Sequence, residues 1–286
     1  MTAIIFDGKS FAQKKEERLM RDLGEMGKIP KLVAILIGDN PESELYVKLK
    51  RKVAERLGIG FEIKKFSGES PVEIASFIEE KNNDPEVSGI IVELPLPKKF
   101  KVQSSKFKII EAINPKKDVD CLTSENLRLL AEGKPKFVPP TVKAVGEIIK
   151  NQKSKCKNQK KERKVVVVGS EGVVGKGILS YLRHFGNLSN LRGIDKETKN
   201  LEAVTKTADI LISATGVGHL IKKEMVEEGV MVIDVGIEKQ SNGKLLGDVD
   251  FENVKEVASF ITPVPGGVGP VTIICLMENL VQSVYH

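Results

Sequence analysis

The sequence predicts an α/β protein with mainly parallel sheets and two domains. Short runs rich in β-branched residues alternate along the chain with amphipathic helical patterns, and this alternation is typical of βαβ units. The length of 286 residues fits two domains of ordinary size. With 41% hydrophobic and 29% charged residues, the composition excludes a collagen-like, coiled-coil or disordered chain.

The β-branched runs are short, as expected of strands, and the helical patterns repeat apolar residues every three to four positions. In chain order, the predicted strands are Lys31–Gly38, Gly60–Phe66, Ser88–Glu93, Val165–Val168, Asp209–Ser213, Val230–Val235 and the strand-like stretch Ala258–Thr262. The predicted helices are Ser10–Met26, Pro41–Leu57, Pro71–Lys81, Thr141–Asn151, Val174–Phe185 and Pro270–Tyr285.

The basic charge of the chain is confined to one segment. The chain has 45 Lys and Arg against 39 Asp and Glu, a formal charge of +6. Residues 151–164, NQKSKCKNQKKERK, carry seven basic residues and one acidic residue, which accounts for the whole excess. We interpret this segment as a solvated connector between the two domains. A nucleic-acid surface is the alternative, although no aromatic residue is interleaved with the basic ones.

The cysteines and histidines are few, and this limits the chemistry. Three cysteines far apart in the sequence exclude a disulfide framework and a zinc site of paired thiols, and they favour a reducing compartment. Three histidines exclude a His-rich metal centre, so proton transfer is expected from Lys, Tyr or carboxylates. No apolar run approaches the about 18 residues of a membrane span. We therefore expect a cytoplasmic protein without a metal site.

A glycine-rich turn follows the predicted strand Val165–Val168. Gly169, Gly172 and Gly175 precede a helix, where glycines let the backbone approach a pyrophosphate at the helix start. Asp195 lies 20 residues after Gly175, at the position of an acid that binds the ribose hydroxyls of a dinucleotide. Two simpler interpretations stay open, namely a tight turn of any α/β protein and a surface aspartate.

Two later segments also predict loops near a ligand. Asp234-Val-Gly-Ile ends a strand with Gly236 and Ile237, which places this loop at the carboxyl edge of a parallel sheet. Residues 263–270 contain three glycines and three prolines, and we expect a fixed loop that brings backbone groups against a planar ligand. A purely structural loop is the alternative.

In the first half of the chain, the helix from Pro41 carries Tyr46 and Lys50 on one face, because they are four residues apart. This face borders a predicted buried stripe of Leu45, Leu49, Val53 and Leu57. Both polar residues could border a cleft, or Lys50 could be one of several exposed lysines. Nearby, a predicted strand ends in Glu93, and Lys117-Asp-Val-Asp120 is a short acidic turn.

Taken together and in order, these motifs resemble those of the bifunctional methylenetetrahydrofolate dehydrogenase/methenyltetrahydrofolate cyclohydrolase family (FolD). The likeness extends over nearly the whole chain and is most specific in its last motif. The matching segments are FDGKSFA, YVKLKRKVAERLGI, GIIVELPLP, KDVD, VPPT, VVVVG, TKNL, DVGI, GKLLGDVDF and ITPVPGGVGPVT.

The resemblance implies a folate-binding catalytic domain of residues 1–140 with 268–286. A Rossmann NAD(P)-binding domain of residues 141–267 is expected to face it across a cleft. In the implied reaction, 5,10-methylenetetrahydrofolate passes a hydride to NAD or NADP, and water converts the methenyl cation to 10-formyltetrahydrofolate. The implied partners are tetrahydrofolate derivatives and a second copy of the chain in a homodimer.

The resemblance also implies site residues. Lys50 would carry catalysis with Glu93 as its partner, Tyr46 would stack on the aminobenzoate ring and Asp120 would hold the pterin nitrogens. The implied substrate-binding set adds Val92, Leu94, Pro265, Gly266, Gly267, Val268 and Gly269. The implied cofactor-binding set is Gly169, Ser170, Glu171, Gly175, Asp195, Lys196, Thr198, Gly236 and Ile237.

Two departures from the family pattern lie in the catalytic domain. The family usually has Gln where this sequence has Glu93. An ionised Glu93 beside Lys50 stabilises the ammonium and makes the lysine a poorer base. We therefore expect a weakened cyclohydrolase step with hydride transfer retained, or a Lys–Glu pair that shares one proton. Cys121 replaces a glycine of the family pattern, so the sequence alone does not decide whether this turn keeps the same backbone conformation.

The other departures concern the cofactor. Ser170 replaces a common Arg and Asp195 replaces a usual His, and both changes disfavour the 2′-phosphate of NADP, so NAD is the expected cofactor. Glu171 replaces a Ser that binds phosphate. The negative charge of Glu171 opposes a pyrophosphate, and the positive charge of Lys196 would offset it.

These departures keep two alternatives open, a monofunctional NAD-linked dehydrogenase with weak cyclohydrolase activity and a folate-binding protein without turnover. Nucleic-acid binding by the basic segment is a third.

Overall fold

The computed structural model describes residues 3–97, 108–155, 163–186, 188, 190–240 and 243–285. The central part of the basic segment, residues 156–162, therefore lies outside the described residues, and with it the test of the connector and nucleic-acid interpretations. The chain divides into two compact units, Met1–Gln13 with Thr141–Thr272 and Lys14–Pro140 with Ile273–His286. We call them the six-stranded unit and the three-stranded unit after their sheets.

The strands are β1 (Ile4–Ile5), β2 (Lys31–Ile37), β3 (Gly60–Phe66), β4 (Gly89–Val92), β5 (Lys164–Val168), β6 (Asn190–Ile194), β7 (Ile210–Ser213), β8 (Met231–Asp234), β9 (Glu238–Lys239), β10 (Leu245–Leu246) and β11 (Phe260–Ile261). The helices are α1 (Gly8–Gly24), α2 (Pro41–Arg56), α3 (Pro71–Asn83), α4 (Ser124–Ala131), α5 (Pro140–Lys155), α6 (Val173–Phe185), α7 (Leu201–Thr205), α8 (Phe251–Val254) and α9 (Val268–Ser283). Among the described residues, none of the helices has the length and apolar character needed to cross a bilayer.

In the three-stranded unit, β2 lies between β3 and β4 in a parallel sheet. The strand β2 is buried from Leu32 to Ile37, as expected of a parallel strand covered on both faces. Pro at the first turn and a capping side chain, Asn40 for α2 and Ser70 for α3, fix the starts of the two helices that follow β2 and β3.

In the six-stranded unit, the strand order is β1-β11-β8-β7-β5-β6, and all five pairings are parallel. Four loops therefore follow neighbouring strands at one edge of this sheet, after β5, β7, β8 and β11. The apolar core of the unit includes Val166, Leu211 and Val232 from three of the central strands.

The predicted two-domain α/β architecture with parallel sheets is confirmed, and every predicted strand and helix is present with ends shifted by a few residues. Strand β1 was not predicted, because two residues are too short for a periodic pattern. Its pairing with β11 groups residues 1–13 with the six-stranded unit, whereas the sequence analysis placed residues 1–140 in one domain.

The segment after β1 packs closely on a glycine-rich loop of the same unit. Ile4 N–H donates to Ser259 O at 2.9 Å, and Gly8 N–H donates to Gly266 O at 3.0 Å. A Cβ atom at Gly8 would lie 1.9 Å from Gly267 O, so a glycine is required there by space rather than by its backbone angles.

We expect Gly8→Ala to lower the free energy of unfolding by about 1–3 kcal/mol, because the new methyl group must displace the backbone of the 266–267 loop. Gly24→Ala is the matched control, since it lies in the same helix and a Cβ there would meet nothing within 4 Å. Urea unfolding of the two variants checks this, and equal stabilities would contradict the close approach.

Candidate active site

Lys50 and Glu93 form a buried ion pair in the three-stranded unit. Glu93 follows Val92 at the end of β4, and its N–H donates to Ile35 O of β2 at 2.9 Å. Lys50 Nζ, on α2, lies 2.5 Å from Glu93 Oε1. Only 13% of the Lys50 side chain and 6% of the Glu93 side chain are exposed, so each charge depends on the other for compensation.

The rotation of α2 about its own axis places Lys50 in this pair. The predicted stripe is wrong at Leu45 and Leu49, which are 52% and 39% exposed. The buried residues of the helix are Ser43, Val47 and Ala54. Lys50 is three positions after Val47 and four before Ala54, so it shares their face. The helix buries small side chains and one paired lysine in place of its leucines.

Tyr46 lies one turn before Lys50 and is half-buried. Loss of hydration raises the pKa of Tyr46, and the nearby Glu42 raises it further, while Lys50 lowers it. The phenol is therefore neutral near pH 7. Beyond Glu93, Leu94 is 38% exposed, whereas Val92 is buried within the strand. Of the two neighbours of Glu93, Leu94 has the more accessible side chain.

Asp120 lies close enough to Lys50 and Glu93 to interact with both charges. Burial raises the pKa of Asp120 to about 6; Lys50 lowers it, and Glu93 and Asp118 raise it. The turn that carries Asp120 is held by the fully buried Asp118. That carboxylate accepts hydrogen bonds from Leu122 N, Thr123 N, Thr123 Oγ1 and Asn126 Nδ2 at 2.7–3.0 Å. The cluster therefore joins two carboxyl groups to one ammonium.

Cys121 adopts the backbone conformation that a glycine would favour, with φ of 56°. Its side chain is buried, and Sγ donates to Phe137 O at 3.3 Å. Burial raises the pKa of the thiol, which is consequently protonated. The replacement of glycine at this position is thus compatible with a left-handed turn after Asp120.

In the six-stranded unit, the predicted glycine turn connects β5 to α6. Gly169 has φ of 83°, and a Cβ there would lie 2.5 Å from Ala214 O in the loop after β7. A Cβ at Gly175 would lie 2.2 Å from Gly169 O, so this glycine allows the helix to pack against the turn. The N-cap of α6 is Gly172, which provides no side-chain cap to the first N–H groups of the helix.

The two acidic residues of the predicted cofactor set differ in their surroundings. Glu171 pairs with Lys176 at 3.0 Å, and both side chains are mostly exposed. The expected partner, Lys196, is 90% exposed and lies 4.0 Å from Glu197 instead. Asp195 follows β6 directly, and its Oδ1 accepts Glu197 N–H at 2.9 Å, while Thr198 Oγ1 accepts Asp195 N–H at 3.0 Å.

Ser170 is buried against β6, since a Cβ at Gly193 would lie 2.7 Å from Ser170 Cβ. Its N–H donates to Ile194 O at 3.1 Å. The side chain at this position is therefore directed into a tight contact with the edge strand of the sheet.

The sequence analysis assigned no role to two buried carboxylates, Asp234 at the end of β8 and Asp248 in the loop after β10. They are 2% and 0% exposed. Asp248 accepts hydrogen bonds from the loop after β7, and Asp234 accepts them from the backbone of Asp248 and Val249. Burial raises the pKa of Asp234 to about 7 against the lowering effect of the Val249 N–H. The available signals were an aspartate at the end of an apolar run for Asp234 and an aspartate next to a glycine for Asp248.

The proline- and glycine-rich segment follows β11 and leads into α9. Gly267 N–H donates to Pro263 O at 2.9 Å, and a Cβ at Gly267 would lie 2.5 Å from the same oxygen. Gly266 has φ of 106°, and a Cβ there or at Gly269 would meet nothing within 4 Å. The loop is thus tightly packed at Gly267, whereas Gly266 and Gly269 have free space beside their Cα atoms.

Within the described residues, no group of three or more His, Cys, Asp or Glu side chains could hold a metal ion. The chemistry of the cluster in the three-stranded unit is that of Lys50, Glu93, Asp120 and Tyr46.

Two family models match the chain. The model described as tetrahydrofolate dehydrogenase/cyclohydrolase, catalytic domain, matches residues 6–120. The model described as tetrahydrofolate dehydrogenase/cyclohydrolase, NAD(P)-binding domain, matches residues 139–286. The chain is 42% identical over 287 residues to the bifunctional protein FolD of Bacillus subtilis, covering 99% of this chain and 98% of the relative.

Two solved structures share this fold over their full length. The bifunctional FolD methylenetetrahydrofolate dehydrogenase/cyclohydrolase from Campylobacter jejuni is 36% identical, with a TM-score of 0.90 and 99% of each chain covered. The Trypanosoma brucei FolD complexed with NADP and an inhibitor is 28% identical, with a TM-score of 0.90, and the match covers 100% of this chain and 98% of that one.

Proposed function

Because the chain belongs to the tetrahydrofolate dehydrogenase/cyclohydrolase family, we propose how its own residues carry out the two reactions of that family. The protein is an enzyme that acts on tetrahydrofolate derivatives. It oxidises 5,10-methylenetetrahydrofolate to the 5,10-methenyl cation with NAD(P)+, and it hydrolyses that cation to 10-formyltetrahydrofolate with release of a proton. The observation that carries the proposal is the Lys50–Glu93 pair with Asp120 beside it, inside the matched catalytic domain.

We assign substrate binding in the three-stranded unit to the side chains around this pair. Tyr46 stacks on the aminobenzoate ring, which suits a half-buried, neutral phenol. Asp120 accepts hydrogen bonds from the pterin nitrogens. Leu94, which is exposed, and Val92, which is buried, flank Glu93 in the sequence, and we assign both to the same part of the substrate site.

The charges of the cluster favour the oxidation step. With Glu93 and Asp120 ionised and Lys50 protonated, the cluster has an excess of one negative charge in a poorly hydrated environment. Hydride loss turns the uncharged ring that holds the methylene carbon into a cation, and this excess stabilises the charge that develops. When bound, the nicotinamide supplies the hydride acceptor. The chain contributes orientation and electrostatic stabilisation.

The same charges oppose the hydrolysis step. Water that attacks the methenyl cation must lose a proton, and the ammonium form of Lys50 cannot accept it. A free amine arises only when the proton of the pair passes to Glu93. We therefore propose that this enzyme is a dehydrogenase with a slow cyclohydrolase step, and Glu93 is the residue that favours this second candidate over a balanced bifunctional enzyme.

The six-stranded unit fits an NAD(P) pyrophosphate. The first N–H groups of α6 have no side-chain cap, and a Cβ at Gly172 would meet only Gly169 O at 3.3 Å. Gly169 and Gly175 set the turn, and Lys176 neutralises Glu171 at the helix start. We assign Asp195 and Thr198 to the adenosine ribose, and Gly236, Ile237 and the 265–269 loop to the nicotinamide end.

We propose NAD as the preferred cofactor. Asp195 follows the strand next to β5, and a carboxylate at this position repels a 2′-phosphate. Ser170 is uncharged and lies buried against Gly193, so this position supplies neither a cation nor an accessible side chain to that phosphate. The Trypanosoma brucei relative was solved with NADP, so the proposed NAD preference rests on Asp195 and Ser170 of this chain alone.

The resemblance also leads us to propose a cytoplasmic homodimer, which light scattering would test as a mass of about twice the 31.4 kDa chain. The two compact units correspond in this proposal to the catalytic and NAD(P)-binding domains.

We expect Glu93→Gln to raise the cyclohydrolase rate by about tenfold or more and to lower the dehydrogenase rate, because it removes the charge that holds the lysine protonated. Lys50→Met should abolish the cyclohydrolase reaction. Both half-reactions are measured spectrophotometrically, with Glu62→Gln as a control that breaks a carboxylate–lysine pair elsewhere in the unit, that of Lys31. A fast wild-type cyclohydrolase that Glu93→Gln does not improve would contradict the assignment.

The pH dependence of substrate use should follow Asp120. Its pKa is raised to about 6, so the carboxyl group is protonated below that pH and ionised above it. Since the ionised form accepts the pterin N–H groups, kcat/KM for methylenetetrahydrofolate should fall about tenfold per pH unit below 6 and be level above 7. Asp120→Asn should flatten this profile. A wild-type profile that is level from pH 5 to 7 would be inconsistent with the role of Asp120.

Calorimetric titration should give a dissociation constant at least about tenfold lower for NAD than for NADP, equivalent to about 1.4 kcal/mol. Asp195→Ser should reduce this difference, because it removes the charge facing the 2′-phosphate, whereas Glu197→Gln, an exposed neighbour, should not. Tighter binding of NADP by the wild type would refute the preference.

A further inference from the structure

Two buried carboxylates of the six-stranded unit have no part in the reactions described above. Asp248 is fully buried, and Asp234 is 2% exposed. Neither is paired with a cation in an ion pair of the described residues, so backbone and hydroxyl donors compensate their charges. Such an arrangement is costly to bury unless every acceptor is satisfied.

Asp248 accepts three hydrogen bonds from the end of β7 and the loop after it. Its Oδ2 accepts from Ser213 Oγ at 2.7 Å and from Thr215 N at 2.6 Å. Its Oδ1 accepts from Val217 N at 3.1 Å. A carboxylate accepts through both oxygens, whereas an amide of the same shape offers one acceptor and one donor. Val217 N–H also donates to Thr215 Oγ1 at 3.2 Å. Only a side chain with two acceptor oxygens accepts from both Thr215 N–H and Val217 N–H at these positions.

The same carboxylate also fixes the loop after β8. A Cβ at Gly236 would lie 1.8 Å from Asp248 Oδ1, so the backbone at this glycine rests directly on the carboxylate. The segment that carries Asp248 is itself held in place, since Ile221 N–H donates to Asp248 O and Asp250 N–H donates to Ile221 O, both at 2.9 Å.

Asp234 extends this network to a third loop. Its oxygens accept Asp248 N and Val249 N, each at 3.0 Å. Asp234 N–H donates to Thr262 Oγ1 at 2.7 Å, and Thr262 directly precedes the proline- and glycine-rich loop. Loops after β7, β8 and β11 are thus joined through two side chains at the carboxyl edge of the sheet.

The outer side of these loops is open. Gly216 has φ of 70°, and a Cβ there would have only Ile237 O within 4 Å, at 3.9 Å. Val217 and Ile237 are 51% and 40% exposed. Val217, Ile237 and Gly216 thus form an accessible apolar surface, and Asp248 fixes its loops from the buried side. Such a surface is suited to receive a planar ring.

We propose that Asp248 is a positioning residue for the nicotinamide cofactor, which holds the loop 214–217 and Gly236 in the conformation that receives the ring. The proposal rests on the NAD(P) site assigned above. Asp248 acts only through these loops and takes no part in the cyclohydrolase reaction, which uses no cofactor.

Asp248→Asn tests this, because the isosteric amide replaces one acceptor oxygen by an NH2 donor, which then faces either Thr215 N–H or Val217 N–H. We expect the dissociation constant and KM for NAD to rise about tenfold, because one buried hydrogen bond to the loop is replaced by a contact between two donors. The kcat of the dehydrogenase should change less. Hydrolysis of supplied methenyltetrahydrofolate should keep the wild-type rate. Faster amide hydrogen exchange at Thr215 and Val217 should accompany the loss.

Two further variants calibrate the result. Asp250→Asn changes a carboxylate two residues away that faces Lys222 at 3.8 Å, and it should leave NAD binding unchanged. Ser213→Ala removes one donor and leaves both loop N–H bonds, so a rise in KM of about two- to threefold is expected.

Unchanged NAD binding in Asp248→Asn would overturn the proposal. Parallel loss of both half-reactions, or failure to fold, would assign Asp248 a structural role only and overturn it equally. If the wild type itself binds neither NAD nor NADP, the assignment of the cofactor site is wrong instead. The wild-type titration shows this before any variant is made.

Discussion

Carboxylates that are removed from water beside the carboxyl ends of parallel strands are the constraint on which both units depend. Glu93 and Asp248 are both less than 10% exposed. An ionised carboxylate in such surroundings must be compensated by a cation or by several N–H donors. The position of each compensating group is fixed as a result, and the loops and helices that supply those groups are fixed with it.

The two units satisfy this constraint in different ways. In the three-stranded unit, the partner of Glu93 is the ammonium of Lys50, which carries a proton that can move. Asp120 is left without comparable compensation, and its raised pKa reflects that. In the six-stranded unit, the donors to Asp248 are mainly backbone N–H groups, which cannot give up their protons. The proton of Lys50 can therefore take part in proton transfer, whereas the N–H groups that bind Asp248 can only hold the loop in place.

The sequence was informative wherever the signal is local. Strand β2 and the turn at Gly169 follow from runs and spacings of a few residues, and both were predicted. The rotation of α2 was not predicted, because the sequence of the helix alone does not show that Lys50 pairs with Glu93, 43 residues away. The contacts of Asp248 with Thr215 and Val217 also join distant segments. The periodicity of apolar residues within one segment does not reveal hydrogen bonds between a side chain and the backbone of a distant segment.

The pairing of β1 with β11 has a consequence for the order in which the chain can fold. Ile4 and Ile5 are synthesised long before Phe260 and Ile261, the residues that they align with. Until that partner emerges, two isoleucines that remain more than half exposed even in the finished fold have no strand to pair with. Closing a loop of that length costs entropy and delays the contact. The pairing of β1 with β11 is therefore among the last of the six-stranded sheet to become possible during synthesis, although β1 is its first strand in the chain.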